Sequence, residues 1–269
     1  NLDAIKKAFL SFVNKVPFYG LAVLCLDDKN IQDIIPSVEK RYVTYGFSAQ
    51  ADFAAKDIEL KGFESSFKVI NRGKELGRFK LNMPGLHNVY NALSAVGLEL
   101  EIDIDAIKKA FAEFSGVQRR FQVKGEINGV MVVDDYGHHP TEIKATLAAA
   151  KSGWDKRTIV IFQPHRYTRT KDLMKDFATA FYQADVLILT DIYAAGETPI
   201  EGVTGERLYE TIKGHGHKEV MFIKNKNEIP DYVFKMLKKD DIVITLGAGD
   251  VYKIGGEIVE RMRGQKQKY

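Results

Sequence analysis

Cysteine is almost absent from this sequence. Cys25 stands alone among 269 residues, so no disulfide can form within the chain, and a reducing compartment such as the cytoplasm fits. Long apolar runs are missing too: none approaches the roughly 18 residues that a membrane-spanning helix needs, and the first residues lack a signal-peptide pattern. Neither sign of charge is in large excess. The 39 basic and 36 acidic side chains leave +3, too near neutral for nucleic acid to be the main partner. A Gly-x-x-x-x-Gly-Lys-Ser/Thr loop is nowhere found. Gly73-Lys74 lacks the upstream glycine and the following hydroxyl, so a phosphate cradle of that type is not in this chain. An initiating methionine is also missing, which hints at a piece of a longer protein.

What is present is an ordinary globular composition, 45% hydrophobic and 28% charged, enough for a core of normal size. Leu2, Ile5, Phe9, Phe12 and Val13 recur at helical spacing and predict an amphipathic helix over Leu2–Val13. Tyr19–Leu26 and Arg41–Gly46 read as strands, with Cys25 as a small buried residue on the first, and Ile31–Ile35 as a short helix between them. Alternation over Ala54–Leu60, Ser65–Ile70 and Gly77–Leu81 predicts an antiparallel meander. Helices are expected over Asn88–Leu100 and Ile104–Phe114.

A break falls at Ser115-Gly116-Val117, which divides the chain into residues 1–116 and 117–269. Beyond it, apolar runs at Val130–Asp134, Thr158–Phe162, Val186–Asp191, Glu219–Ile223 and Ile242–Leu246 alternate with helical patterns. These helices are Thr141–Ala150, Asp172–Tyr182, Gly205–Ile212, Asn227–Leu237 and Val251–Arg263, followed by a basic tail, Arg263–Tyr269, expected to fray. Short apolar strands bounded by helices imply a mainly parallel sheet covered on both faces, a Rossmann-like doubly wound α/β domain. Ligands of such folds sit beyond the carboxyl ends of the strands.

Three of those strand ends carry polar clusters. The first runs Asp134-Asp135-Tyr136-Gly137-His138-His139-Pro140-Thr141-Glu142, between a strand and a helix start that Pro140 suits. A helix N-terminus favours carboxylate or phosphate, so substrate or nucleotide contact, a helix cap, and a metal site are the readings to weigh. Adjacent histidines rarely share one ion and no third spaced ligand follows, so no metal ligand is assigned. The second cluster is Gln163-Pro164-His165-Arg166-Tyr167-Thr168-Arg169-Thr170. Arg166 and Arg169, three apart, are expected to face one way and hold a carboxylate or phosphate, the alternative being a surface pair. The third, Gly247-Ala248-Gly249-Asp250, fits either close backbone approach to a ligand or an ordinary turn. Nearer the break, Asn88 and Asn91 could pair with adenine through their amides, or Asn88 could cap its helix. Gln118-Arg119-Arg120-Phe121 could reach phosphates or form an ion pair across the break.

Taken together, these segments resemble the Mur ligase family. The likeness is carried by Pro17-Phe18-Tyr19-Gly20, Thr44-Tyr45-Gly46-Phe47, Pro84-Gly85-Leu86-His87-Asn88, Gly116 to Gln122, Asp134 to Glu142, Gln163 to Thr170 and Tyr193-Ala194-Ala195-Gly196-Glu197. The resemblance implies the rear part of a central ATPase domain followed by a whole C-terminal, amino-acid-binding ligase domain. It implies ATP-dependent joining of L-alanine to UDP-N-acetylmuramate through an acyl phosphate, in peptidoglycan precursor synthesis, with magnesium held by residues that this chain lacks. His87, Asn88, Asn91, Arg120 and Asp135 would then contact the nucleotide, Asp135 at its ribose. Tyr136, His138, His165, Arg166 and Arg169 would surround the alanine, with His138 proposed as the base that takes its amine proton. Two alternatives remain: a recycling relative that joins a whole peptide to the same sugar, and a binding fragment that turns nothing over. Without a P-loop, the isolated chain is expected to be inactive.

Overall fold

The computed structural model describes residues 1–97 and 102–266, which form two compact units, Asn1–Ser115 and Gly116–Tyr269. The expected end of a helix at Leu100 and the tail beyond Lys266 lie outside the described residues. Among the described residues, no helix is long and apolar enough to cross a membrane.

The first unit contains α1 (Leu2–Val13), β1 (Ala22–Cys25), α2 (Lys29–Ile34), β2 (Tyr42–Gly46), β3 (Phe53–Lys61), β4 (Glu64–Asn71), β5 (Lys74–Leu81), α3 (Leu86–Val96) and α4 (Ile104–Glu113). Its five strands pair in the order β1-β2-β3-β4-β5. The β1–β2 and β2–β3 pairs are parallel, while β3–β4 and β4–β5 form the expected antiparallel meander. Phe53, Phe67 and Phe79 are buried beneath Val89, Leu93 and Val96 of α3, and the rings of Phe67 and Phe79 stack at 5.9 Å. The first strand is shorter than expected: Phe18 and Tyr19 lie before it, exposed, their rings edge to face. Cys25 is half-buried rather than buried.

The second unit runs β6 (Gln122–Ile127), β7 (Val130–Asp135), α5 (Pro140–Gly153), β8 (Thr158–Phe162), α6 (Tyr167–Asp172), α7 (Met174–Phe177), β9 (Val186–Leu189), α8 (Gly205–Gly214), β10 (Val220–Phe222), α9 (Ile229–Met236), β11 (Ile242–Leu246) and α10 (Tyr252–Lys266). The sheet order is β10-β9-β8-β11-β7-β6, parallel throughout except for β6 against β7. Side chains alternate across the sheet, as strand geometry requires. Val160, Phe162, Ile244 and Leu246 pack with Ile143 and Leu147 of α5, Phe177 of α7 and Leu208 of α8. Ile159, Ile161 and Val243 pack on the other face with Ile229 and Val233 of α9 and Ile254 and Ile258 of α10. The domain is thus doubly wound.

Two features of the second unit depart from expectation. β6 has no counterpart in the expected list, because its sequence Gln-Val-Lys-Gly-Glu-Ile is mostly polar, as suits an edge strand. The Asn128-Gly129 turn, with φ of 53° and 82°, is the local signal for the hairpin that joins it to β7. The helix expected over Asp172–Tyr182 begins instead at Tyr167 and is divided into α6 and α7.

His217, between α8 and β10, is 7% exposed. Its Nε2 lies 3.1 Å from the Phe181 carbonyl, its Nδ1 meets no hydrogen-bond partner, and burial lowers its pKa below the ordinary 6.5. The unfolded chain therefore binds the proton more readily, so stability is complete above about pH 6.5 and falls as pH drops below it. Denaturant titrations of wild type and His217→Leu between pH 5 and 7.5 check this. The wild type should lose more stability on acidification, by up to about 1.4 kcal/mol per pH unit.

Candidate functional site

Because β8, β11 and β7 are neighbours, the three polar clusters emerge side by side at the carboxyl edge of the second sheet. Their foundation is a pair of buried carboxylates at the end of β7. Asp134, 0% exposed, accepts from Thr245 Oγ1 at 2.7 Å and from Arg119 Nε at 2.9 Å. Asp135, 5% exposed, accepts from the backbone N–H of Phe121 at 2.8 Å and of Gly137 at 2.7 Å. Burial raises the Asp135 pKa, against the effect of those two donors. Arg119 also donates to the Gly247 carbonyl at 2.6 Å, and its guanidinium lies over the rings of Tyr136 (4.9 Å) and Tyr252 (4.7 Å). It is thus a pin inside its own unit. Arg120 is more open, pairs with Glu142 at 3.4 Å and lies 5.8 Å from the Tyr136 ring.

The α5 N-terminus is already filled by the chain itself. Glu142 Oε2 accepts from the backbone N–H of His138 at 3.0 Å and of His139 at 3.1 Å. Burial alone would raise Glu142, but these donors and the His138 and Arg120 charges hold its pKa below the usual carboxylate range. His139 caps the helix, its Nδ1 accepting from Thr141 N at 3.2 Å, so of the two histidines only His138 turns to the cluster. Its ring meets Tyr136 edge to face at 5.4 Å and lies 5.8 Å from His165.

His165 follows β8. Burial, then the nearby charges of Arg169, His138 and Arg166, depress its pKa below the ordinary 6.5, against a raising effect of Glu197. Arg169 Nη1 sits 3.1 Å from His165 Nδ1 and 3.2 Å from its carbonyl. Arg166 and Arg169 are not the expected pair on one helical face. Arg166 precedes the helix at a φ of 72° and turns to Glu197 at 3.8 Å, whereas Arg169 turns back on His165. Tyr193, beyond β9, stacks on His165 at 5.6 Å with a 9° angle. Nothing in the sequence around Tyr193 and Glu197 points to a role for either, and only the fold brings them here.

The Gly247–Asp250 turn closes the group from β11. A Cβ on Gly249 would collide with Gln163 Oε1 and come within 2.8 Å of the Tyr193 ring, which accounts for the glycine. Gln163 donates to Asp250 at 3.2 Å, Asp250 is paired with Lys226, and Gln163 Oε1 is buried without a partner. Among the described residues, no three His, Cys, Asp or Glu side chains gather as a metal site.

In the first unit, α3 carries His87, Asn88 and Asn91. Gly85 holds the N-cap position, so Asn88 is not the cap; it donates to the Pro84 carbonyl at 2.8 Å and accepts from Asn91 Nδ2 at 3.3 Å. Asn88 is buried, His87 half-buried and Asn91 exposed.

Comparison with known proteins agrees with this architecture. A family model for the Mur ligase middle domain matches residues 1–98, and one described as Mur ligase, glutamate ligase domain, matches residues 119–249. The UDP-N-acetylmuramate–L-alanine ligase of Geotalea daltonii is 58% identical over 97% of this chain and 58% of its own length. The crystal structure of the UDP-N-acetylmuramate–alanine ligase of Thermotoga maritima superposes with a TM-score of 0.79 at 27% identity, over 98% of this chain and 56% of that one. Another Thermotoga maritima Mur ligase, solved in complex with ADP, shares the fold at a TM-score of 0.71 and 16% identity, over 99% and 58% of the two chains. The chain spans a little over half the length of the relatives it matches.

Replacing Arg119 by Leu leaves the Asp134 carboxylate buried without its cation. The substitution should destabilise the second unit by about 3–5 kcal/mol, read as a lower denaturation midpoint.

Proposed function

Since the chain belongs to the Mur ligase family and combines its middle and glutamate ligase domains, we propose that it is part of an ATP-dependent ligase joining L-alanine to UDP-N-acetylmuramate. The sugar's lactyl carboxylate takes the γ-phosphoryl group of ATP to give an acyl phosphate. The alanine amine then attacks that carbonyl and phosphate leaves. Alignment and charge neutralisation carry most of the barrier lowering in such steps.

The observation that carries the reading is the meeting of Tyr136, His138, His165 and Arg169 at the carboxyl edge, with Arg166 beside them on Glu197. Arginine donors suit the alanine carboxylate. The two imidazoles divide the remaining work. His138 Nδ1 lies 3.0 Å from the Tyr136 carbonyl, an acceptor only, so that nitrogen carries the proton and Nε2 keeps a lone pair. His138 Nε2 is therefore the base for the alanine amine. His165 Nδ1 faces the Arg169 donor, so its proton sits on Nε2, where it is a donor to substrate oxygen.

For the nucleotide, Asn91 is exposed and braced by Asn88, which suits the donor–acceptor edge of adenine, with His87 beside them on α3. In the second unit, Arg120 supplies a partly open cation for phosphate, while Asp135 already has both oxygens engaged and fits a ribose contact only at its rim. The described residues offer no cluster to hold magnesium, so the metal and the P-loop that ATP chemistry requires are assigned to parts of the enzyme outside this sequence. Alone, the chain receives the amino acid but does not activate the sugar, and phosphate release from ATP, magnesium, UDP-N-acetylmuramate and L-alanine should stay at background. Release at an ordinary enzyme rate would refute that division.

Titration of the chain with L-alanine, followed by NMR, tests the pocket. Signals of His138, His165 and Arg169 should shift, ethylamine should leave them unmoved, and Arg169→Ala should weaken binding at least about ten-fold. Imidazole nitrogen shifts at pH 7.5 should show the Nδ1–H tautomer for His138 and Nε2–H for His165. The opposite tautomer at His138 removes its role as base.

A further inference from the structure

The segment Tyr193–Glu197 is fastened to the segment after β8 at three points. First, its backbone extends the sheet: His165 and Tyr193 form a parallel bridge, Tyr193 N donates to the Pro164 carbonyl at 2.8 Å, and Arg166 N donates to the Tyr193 carbonyl at 2.9 Å. Second, the Tyr193 ring is held between Gly249, which has no room for a Cβ beside it, and the face of His165. Third, Glu197 accepts from Thr168 N at 3.0 Å and Thr168 Oγ1 at 2.6 Å, and its Oε1 lies 3.8 Å from Arg166. Between the fastenings the chain turns through Ala195 and Gly196 at φ of 52° and 84°, and Arg166 opposite has a φ of 72°. Left-handed backbone at two non-glycine residues is costly and persists only where surrounding contacts impose it.

We propose that Tyr193 and Glu197 are positioning residues for the amino-acid pocket: Tyr193 fixes the plane of His165 so that its Nδ1 meets Arg169, and Glu197 holds Arg166 apart from Arg169. The proposal rests on the reading of this edge as the amino-acid site. The stacked tyrosine leaves His165 no freedom to swing away from Arg169, because a rotation of the imidazole would have to displace a ring wedged against backbone. Glu197, by drawing Arg166 to the far side of the α6 start, separates two guanidinium groups that would otherwise compete for one carboxylate and repel each other.

The test uses the 269-residue chain with Tyr193→Phe, Tyr193→Leu and Glu197→Ala, checked for folding by circular dichroism and denaturation midpoint. Two quantities are read by NMR: the titration and tautomer of His165, and the dissociation constant for L-alanine. In Tyr193→Leu the His165 titration should move up toward the ordinary histidine value, and L-alanine should bind about ten-fold more weakly, as expected for a loosened charge-assisted contact. Tyr193→Phe, which keeps the stack, should stay within about two-fold of wild type, and Glu197→Ala should weaken L-alanine binding with a smaller change at His165. If Tyr193→Leu folds and leaves the His165 titration and tautomer unchanged, the positioning role is overturned. If wild type does not bind L-alanine, the amino-acid reading fails, while the His165 measurement still decides whether Tyr193 governs that ring. Should Tyr193→Leu not fold, Tyr193→His, an aromatic of lesser cover, takes its place with the same expected direction.

Discussion

Two successive carboxylates at the end of one strand, both removed from water, set the conditions for everything around them. Strand alternation sends Asp134 and Asp135 to opposite faces of the sheet, so each needs its own partners. Asp134 finds Thr245 on the neighbouring strand and the Arg119 guanidinium; Asp135 finds two backbone N–H groups, of Phe121 and Gly137. The same three residues, 119 to 121, therefore fold over the strand end from both sides. The left-handed backbone of Arg119 and Phe121, at φ of 59° and 47°, is what that closure requires. Arg119 then reaches the Gly247 carbonyl, which ties the turn after β11 to the same point. Tyr136 lies under Arg119 and carries the cluster on to His138 and His165.

Much of this was legible in the sequence because it depends on local pattern. The five parallel strands of the second unit show as short apolar runs, and the meander of the first unit as alternation between turns. The polar clusters stand out because each interrupts an apolar run at its carboxyl end. β6 was hidden by its polarity and by the register shift between Val123 and Gly125 that breaks its alternation, and only Asn128-Gly129 signals the hairpin. The start of α6 was hidden because Arg166, at its cap, supplies none of the usual capping side chains, and the carboxylate that meets Thr168 comes from Glu197, far along the chain.

The same distinction applies to the residues of the site. Tyr136, His138, His165, Arg166 and Arg169 stand out as candidates because they are clustered in sequence. The separate tasks of neighbours do not. Nothing local distinguishes Arg119, a half-buried pin, from Arg120, which remains more open. Likewise Asp134 and Asp135 differ through the partners each face supplies: Arg119 and Thr245 for Asp134, the Phe121 and Gly137 amides for Asp135. Those assignments are tertiary, and they follow from which strands are adjacent.

One consequence concerns how this edge holds negative charge. Glu142 engages the two amides just before α5, His139 caps its first turn, and Glu197 engages the amide of Thr168 at the start of α6, so the chain's own side chains occupy both helix starts. Helix ends are fixed dipoles whose pull acts at short range, but here that pull is spent internally. What remains for an anion from outside is carried by side-chain cations partly open to solvent, whose attraction fades over a Debye length of about 8 Å at physiological ionic strength. On the proposed reading of this edge, its hold on a carboxylate is set by its arginines and by dissolved salt together, and an ion-poor medium strengthens it without any change of shape.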